Sequence, residues 1–200
     1  MTLLIAWGII FKKNSIERSE GNMKTYKMTI AGLQRELPIC KVNDNLDIAA
    51  FVIFGDAELT VAAAAELLKV CPEFDFIVSP EAKAIPLAHE MSRQSGKKYF
   101  ICRKGAKLYM KEPVCVNVRS ITTDKVQTVY LDGLEGEQMR GKRVLILDDV
   151  ISTGESLAAV NELLKGFDVE VVGQAAILAE GDAADRDDII YLEKLPLFFK

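Results

Sequence analysis

Two adjacent carboxylates, Asp148 and Asp149, stand just before a run of small and hydroxylated residues: Ile151, Ser152, Thr153, Gly154, Glu155 and Ser156. Residues 144–156 read VLILDDVISTGES: an apolar strand, an acid pair, a short loop and the start of a helix. The ligand crevice of an open α/β sheet lies at the carboxyl ends of its strands. A loop there that runs into a helix N-terminus turns backbone N–H groups toward an anion, and the helix dipole adds to the attraction. Ser152, Thr153 and Ser156 supply hydroxyl donors, and Gly154 lets the backbone approach closely. Two carboxylates would repel a free phosphate beside them. The pattern suits a ligand with hydroxyls between the acids and its phosphate, as in a ribose 5-phosphate, whose vicinal diol donates to the acids. No lysine follows Gly154 as in a Walker loop, and no G-x-G-x-x-G fingerprint occurs. The plainer alternative is a strand–turn–helix with Asp149 as a solvated cap.

The surrounding pattern alternates strands and helices. Apolar positions at helical spacing over residues 57–70 predict a helix, buried over 60–68 and ended by Pro72. Residues 74–78 read as a buried strand, 79–83 as a loop, 84–94 as a helix closed by Gly96, and 98–102 as a strand. Residues 104–124 lose clean periodicity, which points to a functional lid or a misread element. A strand over 125–131, a turn region over 133–141, a strand over 143–147, a helix over 155–164 and a strand over 169–179 follow. Unbroken apolar strands between helices imply an α/β fold with a mostly parallel central sheet flanked by helices.

The chain has 200 residues, 50% hydrophobic and 27% charged, enough for one domain with a full core. Its 25 Lys and Arg against 29 Asp and Glu leave a net charge of −4, which speaks against a general nucleic-acid partner. Four scattered cysteines without a C-x-x-C pair, and a single histidine, make a zinc cage a poor fit. They read as reduced thiols of a cytoplasmic protein. The apolar run at residues 3–11 is about half the ~20 residues of a membrane span, and its lysines follow rather than precede it. Residues 1–22 read as a disordered extension before a single domain over 23–200. The purine-rich codons that residues 17–22 permit also fit a translated ribosome-binding site, with Met23 as the start.

VLILDDVISTGES resembles the 5-phosphoribosyl-1-diphosphate (PRPP) motif of type I phosphoribosyltransferases, and the order of features over residues 24–195 is similar to the adenine branch. The resemblance implies that Asp148 and Asp149 bind the ribose hydroxyls and that residues 151–156 hold the 5-phosphate. SPEAKA, residues 79–84, resembles the diphosphate loop, with Glu81, Ala82 and Lys83 at its centre and, in relatives, an often cis non-proline peptide. RKGAK resembles the strand-end segment whose basic residues, here Arg103, Lys104 and Lys107, reach the diphosphate directly or from a neighbouring subunit. Residues 104–124 correspond to a mobile active-site loop. Residues 24–43 form a small N-terminal hood, and IAGLQRELPI within it resembles the base-binding flap, with Arg35 and Leu37 as contacts. The implied catalytic residues are Lys107, Asp148 and Asp149.

The resemblance implies a purine phosphoribosyltransferase joining adenine to PRPP in nucleotide salvage, with Mg²⁺ carried on the diphosphate and no protein-only metal site. It also implies a homodimer, with neither nucleic acid nor membrane as partner. The adenine branch ends its mobile loop in an acid and an aromatic, whereas Ser120, Ile121, Thr122 and Thr123 stand in that place here. That departure leaves open another purine, such as xanthine, or a non-catalytic PRPP-binding regulator. His89 has no motif around it and reads as a helix-packing or surface residue.

Overall fold

A computed structural model describes residues 24–119 and 126–200. The extension over 1–22 and the segment Ser120 to Thr123 lie outside the described residues. The chain opens with a hairpin, β1 (Thr25–Ile30) and β2 (Leu33–Asn43), whose two-residue turn puts Ala31 and Gly32 at φ 48 and 79. Positive φ at both central residues matches the right-handed twist of the strands. β3 (Leu46–Ala49) pairs with β2, and Asp56 then caps α1 (Ala57–Val70), its carboxylate accepting from the Leu59 amide. β4 (Phe76–Pro80) leads to α2 (Ile85–Ser95), which Gly96 closes in the left-handed region at φ 71. β5 (Lys98–Cys102) follows, then β6 (Val114–Arg119), β7 (Val126–Leu131), α3 (Gly133–Gln138) and β8 (Arg143–Ile151). The last elements are α4 (Glu155–Leu164), β9 (Glu170–Glu180), β10 (Ile190–Leu195) and β11 (Leu197–Phe199).

Five strands in the order β10-β9-β8-β4-β5 form a sheet in which every pairing is parallel. Both faces are covered, so residues 144–147 of β8 are apolar without a break: Leu145 and Leu147 join the core under α1, α2 and the hairpin, while Val144 and Ile146 join the core under α4. The antiparallel sheet β1-β2-β3-β11 takes in the segment expected as a hood and is completed by the C-terminal strand. Because the five strands are parallel, their carboxyl ends lie at one edge, and the loops after β4, β5, β8 and β9 meet there.

Three expectations need correction. Residues 114–119, within the stretch expected to lack structure, form β6, paired antiparallel with β7. β7 is joined to the residue that follows β5 by reciprocal Arg103–Tyr130 backbone bonds of 2.8 Å. The period-2 alternation of VCVNVR was legible but sat beside Pro113 and a run of basic residues. Residues 133–138 form α3 rather than a turn: Asp132 caps it, accepting from the Leu134 amide at 2.9 Å. Its glycines answer to packing, since Gly136 has no room for a Cβ under the Phe167 ring. Finally, β8 runs to Ile151, so Asp148 and Asp149 sit within the strand, held in register by the long β9 beside it.

Candidate active site at the carboxyl edge of the sheet

Asp148 and Asp149 project at the end of β8, with the Asp149 amide donating to Asp148 Oδ1 at 2.9 Å. Asp149 is 3% exposed, and its Oδ2 lies 2.7 Å from the Lys83 ammonium. Among the described residues Asp148 forms no ion pair, although the Lys83 charge also acts on it. Burial, then the charge of Asp149, raises its pKa well above the usual carboxylate range. A hydrogen-bond donor reaching Asp148 would favour its charged form.

Beyond the acids, the chain bends at Gly154, φ 78, into α4. Asp148 and residues 150–157 line a small open cleft of about 60 Å³. Ser152, Thr153 and Ser156 are exposed at its mouth, and the Ser152 hydroxyl accepts from the Thr153 amide at 2.7 Å. Ile151 contributes backbone only, because its side chain is buried in the core under α4. Glu155, in the first turn of α4, suits the positive end of the helix dipole.

The loop after β4 reaches the acid pair. It contains a cis Glu81–Ala82 peptide, and Lys83 is its link to Asp149. Glu81 turns the other way, toward the loop after β5: its Oε2 accepts from Arg103 Nε at 3.1 Å and from the Lys104 amide at 3.0 Å. The Lys104 amide is the main cause of a Glu81 pKa below the usual range, with Arg103 and Lys107 adding to it against the opposing effect of burial. The structure thus brings Glu81, Ala82, Lys83, Arg103, Lys104, Lys107, Asp148, Asp149 and the phosphate-type loop to one edge.

It engages Arg35 and Leu37 elsewhere. The Arg35 guanidinium spans both oxygens of Asp56, at 2.6 and 2.9 Å, and reaches Glu58 at 2.8 Å. Leu37 is 6% exposed, within the core under α1 and α2. Arg35 ties the hairpin to the start of α1, and Leu37 ties it to the core beneath. His89 packs edge-on against Tyr99, with ring centroids 6.0 Å apart.

A family model described as the phosphoribosyl transferase domain matches residues 57–195. The chain belongs to this family. Curated relatives include the hypoxanthine/guanine phosphoribosyltransferase of Methanococcus voltae, 31% identical over 67% of this chain and 68% of its own length. The adenine phosphoribosyltransferase of Nocardia farcinica is 30% identical over 63% of this chain and 64% of its own length. The chain spans from 53% to 72% of the length of such relatives. Among solved structures, the adenine phosphoribosyltransferase of Thermoanaerobacter pseudethanolicus superposes with a TM-score of 0.61 at 19% identity, covering 85% of this chain and 95% of its own. That of Trypanosoma brucei, in complex with AMP, pyrophosphate and ribose-5-phosphate, gives a TM-score of 0.53 at 15% identity, over 70% and 64% of the two chains. These likenesses establish a phosphoribosyltransferase fold, and the relatives divide between two purine names.

Residues at this edge also come from a stretch that the motif reading passed over. Glu180 ends β9 with a pKa raised by burial, an effect that the Lys83 charge partly offsets. Arg186 follows shortly after, beside Gly154. The signal was present: EGDAADRDD is a largely polar, charged run directly after the apolar residues 175–179, the same arrangement that marked the end of β8.

Proposed function

We propose that this chain transfers a phosphoribosyl group from PRPP to a ring nitrogen of a purine, releasing diphosphate, with adenine the first base to test. The supporting observation is the meeting, at one sheet edge, of a buried acid pair, an amide-rich loop at a helix N-terminus, and a facing set of basic residues. In the reaction the purine nitrogen bonds to C1 of the ribose, the bond from C1 to the diphosphate oxygen breaks, and the purine nitrogen gives up its proton. The barrier lies in separating a polyanion from a carbon with oxocarbenium character.

Asp148 and Asp149 would accept from the two ribose hydroxyls, and their charge favours the positive sugar. Residues 151–156 would hold the 5-phosphate through backbone amides and hydroxyls, fixing C1 in place. Lys83, Arg103, Lys104 and Lys107 would meet the diphosphate and stabilise its growing charge. Among the described residues no cluster of three or more His, Cys, Asp or Glu could hold a metal ion unaided. The oxygen-only donors at the acid pair suit Mg²⁺, which, when bound with diphosphate, offsets that group's charge. Residues 104–124 would close over the bound ligands and exclude water.

The base is the finer question. Relatives bear both adenine and hypoxanthine/guanine names, and Ser120 to Thr123 lack the acid and aromatic of the adenine branch. That replacement also favours a second reading, a PRPP-binding regulator without turnover. We further propose a homodimer, in which the 103–107 segment reaches toward the neighbouring site. Incubation with PRPP, Mg²⁺ and a panel of adenine, hypoxanthine, guanine and xanthine, scored for diphosphate release, tests the enzyme reading. Release with one base supports it, while binding of PRPP without release with any base supports the regulator. Absence of PRPP binding by calorimetry in a folded sample overturns both.

A further inference from the structure

The cleft that would take the 5-phosphate contains no cationic side chain of its own: among its lining residues, Asp148 and Glu155 are acids and the rest are neutral. A phosphate dianion settling there would gain amides and a helix dipole. A cationic side chain has to come from another element, and the turn between β9 and β10 brings one beside Gly154. Residues 181–185 form a short 3-10 turn, and the Arg186 amide closes it on the Ala183 carbonyl at 3.2 Å.

The Arg186 guanidinium is held by one edge. Nε donates to Asp188 Oδ1 at 2.8 Å, and Nη2 to Asp188 Oδ2 at 2.7 Å. This bidentate clamp fixes the plane of the group, which a lysine ammonium could not match. The remaining nitrogen, Nη1, lies against Gly154. A Cβ on that glycine would fall 2.6 Å from Nη1 and 3.8 Å from Cζ. The left-handed φ of 78 favours glycine here, and a Cβ would in addition push the end of the Arg186 side chain away from the bend. Nη1 donates to no acceptor among the described residues, and the side chain is 33% exposed.

We propose that Arg186, clamped by Asp188, is a positioning residue of the 5-phosphate site: it holds the Gly154 bend and supplies the cationic charge that the loop itself lacks. The proposal rests on the reading of residues 151–156 as a phosphate loop. Its effect falls on ligands through their phosphate and leaves the purine side of the reaction alone.

Ribose 5-phosphate is the probe, measured by calorimetry alongside the KM for PRPP and for the purine. Arg186→Gln should weaken ribose 5-phosphate and raise the KM for PRPP by roughly tenfold, the loss of one charge-assisted interaction, with kcat and the purine KM within twofold. Arg186→Lys, which keeps the charge but loses the fork, should recover part of the affinity. Asp188→Asn, which keeps the arginine but loosens its clamp, should give a smaller loss of roughly two- to fivefold. If Arg186→Gln does not fold, the lysine and Asp188→Asn variants carry the same comparison. Ribose 5-phosphate affinity unchanged in the folded variants, or a purine KM rising in parallel with that for PRPP, overturns the proposal. Wild-type protein that binds neither ribose 5-phosphate nor PRPP overturns the phosphoribosyl reading and this inference together. Wild-type binding that the variants retain overturns this inference alone.

Discussion

The Lys83 ammonium lies 2.7 Å from Oδ2 of Asp149, joining the loop after β4 to the end of β8. The acid is buried and the lysine about half exposed, so the pair forms a lid-like bond over the acid, open to solvent on one side. A sugar diphosphate would compete for both partners: its hydroxyls for the carboxylate, its phosphoryl oxygens for the ammonium. The ion pair compensates the buried Asp149 carboxylate and holds the loop after β4 against β8.

Lys83→Met should therefore cost stability as well as activity. It leaves a buried carboxylate without its cation, at about 1–2 kcal/mol once solvent access to the lysine is allowed for. Combining it with Asp149→Asn should restore most of the melting temperature and none of the turnover. Thermal melts of the two single variants and the double variant check this, and additive losses would contradict the pairing.

Asp148 gives a pH signature. Its folded pKa is raised by burial and by Asp149, so over the window above the ordinary carboxylate value the folded chain retains a proton that the unfolded chain has lost. Stability therefore falls as pH rises through that window. Asp148→Asn removes the penalty. Its melting temperature should match wild type near pH 4 and exceed it by about 3–6 °C at pH 8, while PRPP binding is lost. Melts across that range, with calorimetry at pH 8, provide the check.

Arg35 links β2 to the α1 cap through both oxygens of Asp56, which in turn accepts from the Leu59 amide at 3.1 Å. Arg35→Ala should lower stability by about 1–2 kcal/mol and speed amide exchange in β1 and β2 more than in β8. The KM for PRPP should stay within twofold, since none of Arg35's hydrogen bonds reaches the acid pair or the phosphate loop. Exchange mass spectrometry reads the first effect and steady-state kinetics the second.

Lys107 is half-buried, its amide held to Met110 Sδ at 3.4 Å and its charge directed at Glu81. Lys107→Ala should reduce kcat by tenfold or more with a change in melting temperature of about 2 °C or less, because it removes charge from the leaving-group side and little packing. Parallel losses of activity and stability would make it a structural lysine.

What the sequence alone determined was local and contiguous. Residues 144–156 hold strand, acids, loop and helix start in one stretch, so the phosphate-type cradle and its place at a strand end were legible without coordinates. So were α1, α2, α4 and the apolar strands, because burial on one or two faces writes itself into spacing. The tertiary structure decided what depends on residues far apart in the chain. It set the Lys83–Asp149 pair, the Glu81–Arg103 link and the Arg186 guanidinium against Gly154. It set the Arg35 bonds to Asp56 and Glu58 that strap β2 to α1, and it fixed α3, whose glycines look like a turn until Phe167 is seen to fill the space beside Gly136. A one-dimensional pattern records which face a residue buries but not what it meets there, because those partners are chosen by the packing of parallel strands whose carboxyl ends converge only on folding.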